Sequence, residues 1–174
     1  MLVAPFIPLE FKRKGVSASM IGIFFAAQSV GVLIWSPIVG KTLETVGRRF
    51  YLVGGFVLMG ICFACFGLTD KIETSEGNTS MLICVGVVIR LMQGVAASSI
   101  QTACFAIATN DYPAQKNQLV GLVESFAGIG STIGPVLGST LYALMGFSGT
   151  FYSYGAMNVV WGVMTWVLFP KPAS

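Results

Sequence analysis

Histidine is absent from this 174-residue sequence, and charged residues of either sign are scarce. The missing histidine excludes the side chain most used for acid–base catalysis near neutral pH and for zinc or haem ligation. Lysine, arginine, aspartate and glutamate make up 10% of the chain, against about 25% in an average soluble domain. The few cations form no basic stripe. We therefore expect no metal, no cofactor and no nucleic-acid partner.

Apolar residues are correspondingly abundant. They account for 55% of the chain, and the mean hydropathy is +0.80. A lipid bilayer is a better solvent for this composition than water. No nucleophile–base pair, metal cluster or phosphate-binding loop stands out in the sequence. The composition therefore predicts an integral membrane protein that is not an enzyme.

Five apolar segments are long enough to cross a hydrocarbon core of about 30 Å, which takes about 20 helical residues. They cover residues 19–39, 50–68, 81–108, 119–145 and 151–169. A sixth apolar stretch, residues 1–10, contains two prolines and is too short to span. We expect it to be the tail of a helix that begins outside this chain. The whole chain is thus predicted to be one all-α transmembrane bundle.

Glycine and proline are concentrated at residues 130–138, inside the fourth apolar segment. Gly130, Gly134 and Gly138 are spaced four apart, and Pro135 follows the second of them. Small residues at this spacing form a stripe along which another helix can approach closely in lipid. The proline removes one backbone hydrogen bond and favours a bend. The stretch predicts either a hinge in a moving helix or an ordinary packing face.

Arg90 is the one cation placed well inside a predicted span. It lies about 13 Å along its helix from the entry at Met81, at 1.5 Å per residue. A central arginine costs roughly 3 kcal/mol on insertion scales, which the neighbouring aliphatic residues can offset. Because such a charge in a membrane is rare and usually functional, Arg90 is a candidate functional residue. The alternatives are a structural ion pair and a side chain that snorkels to the membrane surface.

Glu124 is the corresponding acid, five residues inside the fourth segment. Its depth allows two interpretations. It forms an ion pair with Arg90 across neighbouring helices, or it binds an amine cation or a proton. A carboxylate near an apolar cavity holds protons more tightly, which suits exchange of a proton for a cation.

Two amides complete the candidate pathway. Gln28 lies in the first segment, where it serves either as an interhelical hydrogen-bond partner or as a contact for substrate. Gln93 lies one turn from Arg90, and we expect it to position that arginine rather than to bind substrate.

Three motifs now give a family resemblance. Residues 40–52, which include Gly40, Glu44, Gly47, Arg48 and Arg49, resemble the loop signature of major facilitator superfamily transporters, G-x-L-a-D-r-x-G-r-k-x-x-l. Residues 90–94, Arg-Leu-Met-Gln-Gly, resemble the second signature, R-x-x-Q-G. The stretch at 130–138 resembles the third signature, typical of proton-coupled antiporters. All three occur in the order and at the spacing of the family.

The resemblance implies the N-terminal six-helix half of a major facilitator fold, with family helix 1 truncated and five full transmembrane helices remaining. It implies that the acid of the loop, here Glu44 instead of the usual Asp, caps a helix of the other half. From the sequence alone, Glu44 can also pair with Arg48, four residues on. Residues 20–25, 36–40 and 121–130 resemble the vesicular amine transporter group, especially its polyamine branch. Gln28 occupies a position that resembles one held by lysine in monoamine transporters.

These observations predict a secondary transporter, or its N-terminal half, that exchanges protons for an organic cation such as a polyamine or amine by alternating access. The expected partners are the lipid bilayer, the small organic cation, protons, and a second transporter half or other membrane subunits. The expected location is the membrane of an intracellular organelle or vesicle, with the plasma membrane as a second possibility. The alternative function is that of a degenerate half-transporter, a structural subunit of a larger membrane complex.

Overall fold

A computed structural model describes residues 17–69 and 78–169, and every regular element in those ranges is a helix. The long helices are α1 (Ala18–Val46), α2 (Arg48–Leu68), α3 (Asn78–Ala106) and α4 (Lys116–Leu168). A π-helical turn (Ile107–Asp111) and a 3-10 turn (Pro113–Gln115) join α3 to α4. The predicted apolar stretch at residues 1–10 lies outside the described residues. All four long helices are apolar enough to cross a membrane.

Helix α4 is divided by Gly146, whose backbone is not helical (φ 70°, ψ −171°). The helix has 53 residues and would be about 80 Å long if straight, more than twice the hydrocarbon thickness. Its first arm, residues 116–145, and its second arm, residues 147–168, each have the length of one crossing. The connection between the predicted spans 119–145 and 151–169 is therefore a single glycine.

The predicted loop at residues 40–49 is wrong. Helix α1 continues through Gly40 and Glu44 to Val46, and Gly47 alone makes the turn into α2. Gly47 has φ +98°, a conformation that side chains with a Cβ rarely adopt. The charged residues before Gly47 lie beyond the apolar span but remain in the helix. Outside hydrocarbon, as within it, the helix satisfies their backbone hydrogen bonds, and their side chains can reach water.

Helix α3 is central to the bundle, packing against α1 on one side and against α2 on another, while α2 also packs against α4. Two apolar clusters stabilise opposite ends. One is aromatic and joins α1, α2 and the second arm of α4; its buried members are Phe24, Phe63, Phe66, Phe147, Phe151 and Tyr154. The other joins the adjoining ends of α1 and α2 to α3; its buried members are Val39, Leu43, Leu52 and Ala103.

The first arm of α4 contributes little to these clusters. Most of its residues are exposed, and its buried members are Gly134 and Gly138. The glycine stripe at 130–138 is thus split, since Gly130 is exposed and a Cβ added there would meet nothing within 4 Å. Pro135 lies inside the helix and is half-buried.

Candidate functional site

The backbones of α1 and α3 touch where Gly31 faces Gly94. A Cβ added to Gly94 would lie 2.3 Å from the carbonyl oxygen of Gln28, and one added to Gly31 would lie 2.4 Å from that of Leu91. Carbon and oxygen atoms in ordinary contact are more than 3 Å apart. The two helices can therefore cross at this distance only because both positions lack a side chain.

Arg90 lies one turn before this crossing, on the α1 side of α3. Its side chain is buried, with 5% of the residue exposed. Its Nη1 donates a hydrogen bond of 3.1 Å to Oε1 of Gln28. Of the two interpretations of Gln28 from sequence, the interhelical hydrogen bond is the one present in this structure.

Three aromatic rings surround the guanidinium group of Arg90. Its central carbon lies 4.7 Å from the ring centroid of Phe24 and 5.6 Å from those of Phe25 and Phe66. A desolvated cation over an aromatic ring gains about 2 kcal/mol. Nε and Nη2 of Arg90 have no hydrogen-bond partner in the described ranges. The ring faces therefore supply most of the negative potential that stabilises this buried charge.

Gln93 is also buried, with 2% of the residue exposed, and its Nε2 has no hydrogen-bond partner among the residues described. The hydrogen bond that holds Arg90 comes from Gln28 on α1 and not from Gln93 on the same helix. A role of Gln93 in positioning Arg90 remains a prediction.

Glu124 lies on the exposed part of the first arm of α4. Within residues 17–69 and 78–169 it makes no ion pair, so the pairing with Arg90 that the sequence allowed is not present. The guanidinium group of Arg90 is directed towards α1 and α2, where Gln28 and the aromatic rings lie. The two charges inside the predicted spans are therefore held apart, one enclosed and one accessible.

The cations at the start of α2 connect it to the ends of two other helices. Arg48 forms a salt bridge with Asp111, the last residue of the π turn that follows α3. The predicted pair between Glu44 and Arg48 is therefore not formed, and Glu44 is exposed. Because the chain turns at Gly47, Glu44 and Arg48 belong to different helices and do not have the spacing of four residues on one helix face that such a pair needs.

Arg49 is held by the end of α4. Its Nη2 donates to the carbonyl oxygen of Trp166, and its guanidinium carbon lies 4.2 Å from the centroid of the Trp166 ring. Trp166 is within the last turn of α4, where carbonyl groups have no partner inside the helix. A cation at this position is stabilised by the negative end of the helix dipole.

Sequence analysis missed five residues of these arrangements: Phe24, Phe25, Phe66, Asp111 and Trp166. The three phenylalanines resemble any other apolar residue of a membrane helix. Asp111 is an acid just beyond the third predicted span, on the same side of the bundle as Arg48. That position was the one signal in the sequence for the salt bridge. Nothing in the sequence pairs Arg49 with a tryptophan 117 positions later.

The model of the Major Facilitator Superfamily matches residues 1–174, the full length of the chain. This chain belongs to that superfamily. Arg90, Gln93 and Gly94 belong to the stretch that resembles the second signature, and Gly47 to Arg49 to the stretch that resembles the loop signature. The superfamily is one of membrane transporters and not of enzymes, and the chain has the all-α fold of a superfamily half.

Individual superfamily members resemble the chain over nearly its full length. The human protein named MFS-type transporter SLC18B1 is 27% identical over 173 residues, which are 99% of this chain and 37% of the relative. The quinolone resistance protein NorA of Staphylococcus aureus is 24% identical over 98% of this chain and 41% of its own length. The staphyloferrin B transporter of S. aureus is 26% identical over 80% of this chain and 31% of its own length. The chain thus spans less than half the length of these relatives.

Proposed function

We propose that this chain forms the N-terminal half of a transporter that exchanges protons for a small organic cation, such as a polyamine or an amine, by alternating access. The proposal adds a coupling ion and a substrate class to the transport function of the superfamily. It depends on one observation above all, the separation of the two charges in the predicted spans. Arg90 is enclosed by Gln28 and aromatic rings, whereas Glu124 is exposed and has no cationic partner in the described ranges.

An accessible carboxylate at membrane depth is suited to bind a cation or a proton, one at a time. One carboxylate cannot hold a proton and pair with an amine cation at the same time, so proton binding and amine binding compete. Such competition is the minimum requirement for exchange. Arg90, by contrast, would repel a cation, and the negative faces of the rings around its guanidinium group reduce that repulsion.

The substrate class rests on the resemblance to the vesicular amine group and on Gln28. A lysine at position 28 could not accept the hydrogen bond that Gln28 accepts from Arg90. The arrangement of Arg90 with a neutral amide therefore favours a polyamine over a monoamine. The names of the S. aureus relatives refer to a quinolone and to staphyloferrin B, so substrates differ among the similar proteins. The proposed location is the membrane of an organelle or vesicle.

The test is uptake by proteoliposomes that contain the full-length protein under an imposed pH gradient, with labelled spermidine as the substrate. We expect Glu124→Gln to abolish the dependence of uptake on the gradient, and Glu124→Asp to preserve it in part. Thr140→Ala is a control on the same arm, since the Thr140 hydroxyl bonds to its own helix, at Val136, and lies on the side away from Glu124. Unchanged pH dependence in Glu124→Gln would refute the coupling role.

A half-transporter that serves as a structural subunit is the alternative. The same preparations distinguish it: the intact protein from its native membrane would have the mass of this chain, 18.5 kDa, and would purify within a larger complex. In that case, no gradient-driven uptake of polyamines is expected from any preparation. A single chain of about twice this mass would favour the transporter.

A further inference from the structure

We propose that Gly94 is a positioning residue for Arg90: because it lacks a side chain, α1 can approach α3 closely enough for Gln28 to hold the buried arginine. The effect of Gly94 on transport rests on the proposed function. Its effect on the position of Arg90 does not, and can be tested without a transport assay.

Gln28 contacts α3 through two separate groups. Its side-chain Oε1 accepts the hydrogen bond of 3.1 Å from Arg90, and its backbone carbonyl oxygen faces Gly94, where a Cβ would lie 2.3 Å away. The same Cβ would also lie 2.9 Å from both the Cα of Gly31 and the backbone nitrogen of Val32. All three obstacles are backbone atoms of α1, which cannot turn aside as a flexible side chain does.

A methyl group at position 94 must therefore displace α1 itself. Restoring ordinary contact requires a movement of about 1 Å. That movement would stretch the Gln28–Arg90 hydrogen bond beyond 3.5 Å, where such bonds are effectively lost. Because Nε and Nη2 of Arg90 already have no hydrogen-bond partner in the described ranges, the displaced arginine would retain only its ring contacts.

Gly60 also lies in a tight contact between helices, but away from Arg90. It is on α2 and faces α4, and its added Cβ would lie 2.7 Å from Cγ2 of Val159 and 2.9 Å from the carbonyl oxygen of Gly155. Because the first of these atoms belongs to a side chain, Gly60→Ala crowds its helices less severely than Gly94→Ala does. It serves as the control for crowding without a nearby arginine: a purely structural role of Gly94 predicts that both substitutions raise the reactivity of Arg90.

The experiment measures the rate at which phenylglyoxal, a membrane-permeant reagent for guanidinium groups, modifies Arg90 in the full-length protein, quantified by mass spectrometry. Gln28→Leu, which removes the acceptor at similar volume, should raise this rate about tenfold, since hydrogen bonds to charged groups are strong. Gly94→Ala should raise it by a similar factor, and Gly60→Ala should leave it unchanged. The double variant Gly94→Ala/Gln28→Leu should react no faster than Gly94→Ala alone.

A rescue separates positioning from packing. The attraction between a carboxylate and a guanidinium group decreases gradually with distance, unlike a neutral hydrogen bond. Gly94→Ala/Gln28→Glu should therefore return the modification rate towards that of the unaltered protein. In uptake assays, Gly94→Ala should change the pH profile as Gln28→Leu does, whereas Gly60→Ala should change at most the amplitude.

Three outcomes would overturn the proposal: equal rates for Gly94→Ala and Gly60→Ala, additive effects in the double variant, or no rescue by Gln28→Glu. If Gly94→Ala does not accumulate, Gly31→Ala tests the same crossing; failure of both, with Gly60→Ala normal, also counts against it. The modification rates can behave as expected while neither the unaltered protein nor any variant transports spermidine. In that case the transport proposal fails and the positioning role of Gly94 stands.

Discussion

A buried arginine is expensive in a bilayer, and α3 tolerates Arg90 because two different kinds of group share the cost. Gln28 supplies one hydrogen bond, and the rings of Phe24, Phe25 and Phe66 supply negative faces. Neither contribution carries a charge. The charge of Arg90 is therefore retained in the bundle without a neutralising acid among the described residues.

A second cation beside Arg90 should not be tolerated. In Gln28→Lys the acceptor becomes an ammonium group close to the guanidinium group, with no acid to compensate for it. Leaving such a buried charge unpaired costs about 3–5 kcal/mol. We expect the melting temperature of the purified protein to fall strongly in Gln28→Lys and to be kept or raised in Gln28→Glu. Equal melting temperatures for the two variants would contradict the arrangement.

Arg49 should be sensitive even to replacement by lysine. Its guanidinium group both stacks on the Trp166 ring and donates to the Trp166 carbonyl, and an ammonium group cannot do both in the same geometry. We expect Arg49→Lys and Trp166→Leu each to cost about 1–2 kcal/mol of unfolding free energy in detergent, with less than additive effects together. Trp161→Leu, an exposed tryptophan on the same helix, is the control and should have little effect.

At the scale of the helices, hydropathy located the apolar spans but not the ends of the helices. Predicted spans 19–39 and 119–145 lie within α1 and α4, which are longer at one or both ends. The reason is physical: hydropathy reports which residues prefer hydrocarbon, whereas the helix ends where the backbone leaves helical dihedral angles. Gly47 and Gly146 mark those places, and both have positive φ.

The two glycines with positive φ should resist substitution for this reason. Gly146→Ala places a Cβ on a backbone at φ 70° and ψ −171°, a region essentially restricted to glycine, at a cost of roughly 1–3 kcal/mol. Gly22→Ala is the contrasting variant, because Gly22 is helical and an added Cβ meets nothing within 4 Å. We expect Gly146→Ala to lower the melting temperature and Gly22→Ala to leave it unchanged or raise it.

At the scale of the whole molecule, the membrane class, the helical fold and the family could be predicted from the sequence, but the contacts that make the site could not. Gln28 and Arg90 are 62 positions apart, and Arg48 and Asp111 are 63 apart. Such pairs depend on how the helices cross. For α1 and α3, the close contact of Gly31 with Gly94 sets that crossing. A pattern along one helix cannot show which face of another helix it meets. Of the two interpretations of Glu124, the ion pair with Arg90 is not formed for this reason, and the transport roles of both residues remain predictions.

The first arm of α4 has two distinct faces, and this difference bears on how the bundle lies in a membrane. At helical spacing, Gly128 and Ser131 share the face of Glu124. The opposite face consists of large exposed apolar side chains, including Phe126, Ile129 and Ile133. A carboxylate facing hydrocarbon is costly, whereas these apolar side chains are not. The Glu124 face should therefore line a water-accessible path, with the opposite face in lipid.

Cysteine labelling tests this orientation in the full-length protein, starting from a variant without its four native cysteines. A charged, membrane-impermeant thiol reagent needs water to reach and ionise its target. We expect Ser131→Cys to react at least about tenfold faster than Ile133→Cys, although both positions are exposed in the bundle, because thiolate forms readily only in water. Spermidine should slow the reaction at position 131 if Glu124 binds the cation. Equally slow labelling of the two positions would place the Glu124 face in lipid, and the proposed pathway would then have to lie elsewhere in the bundle. Equally fast labelling would contradict the placement of the opposite face in lipid.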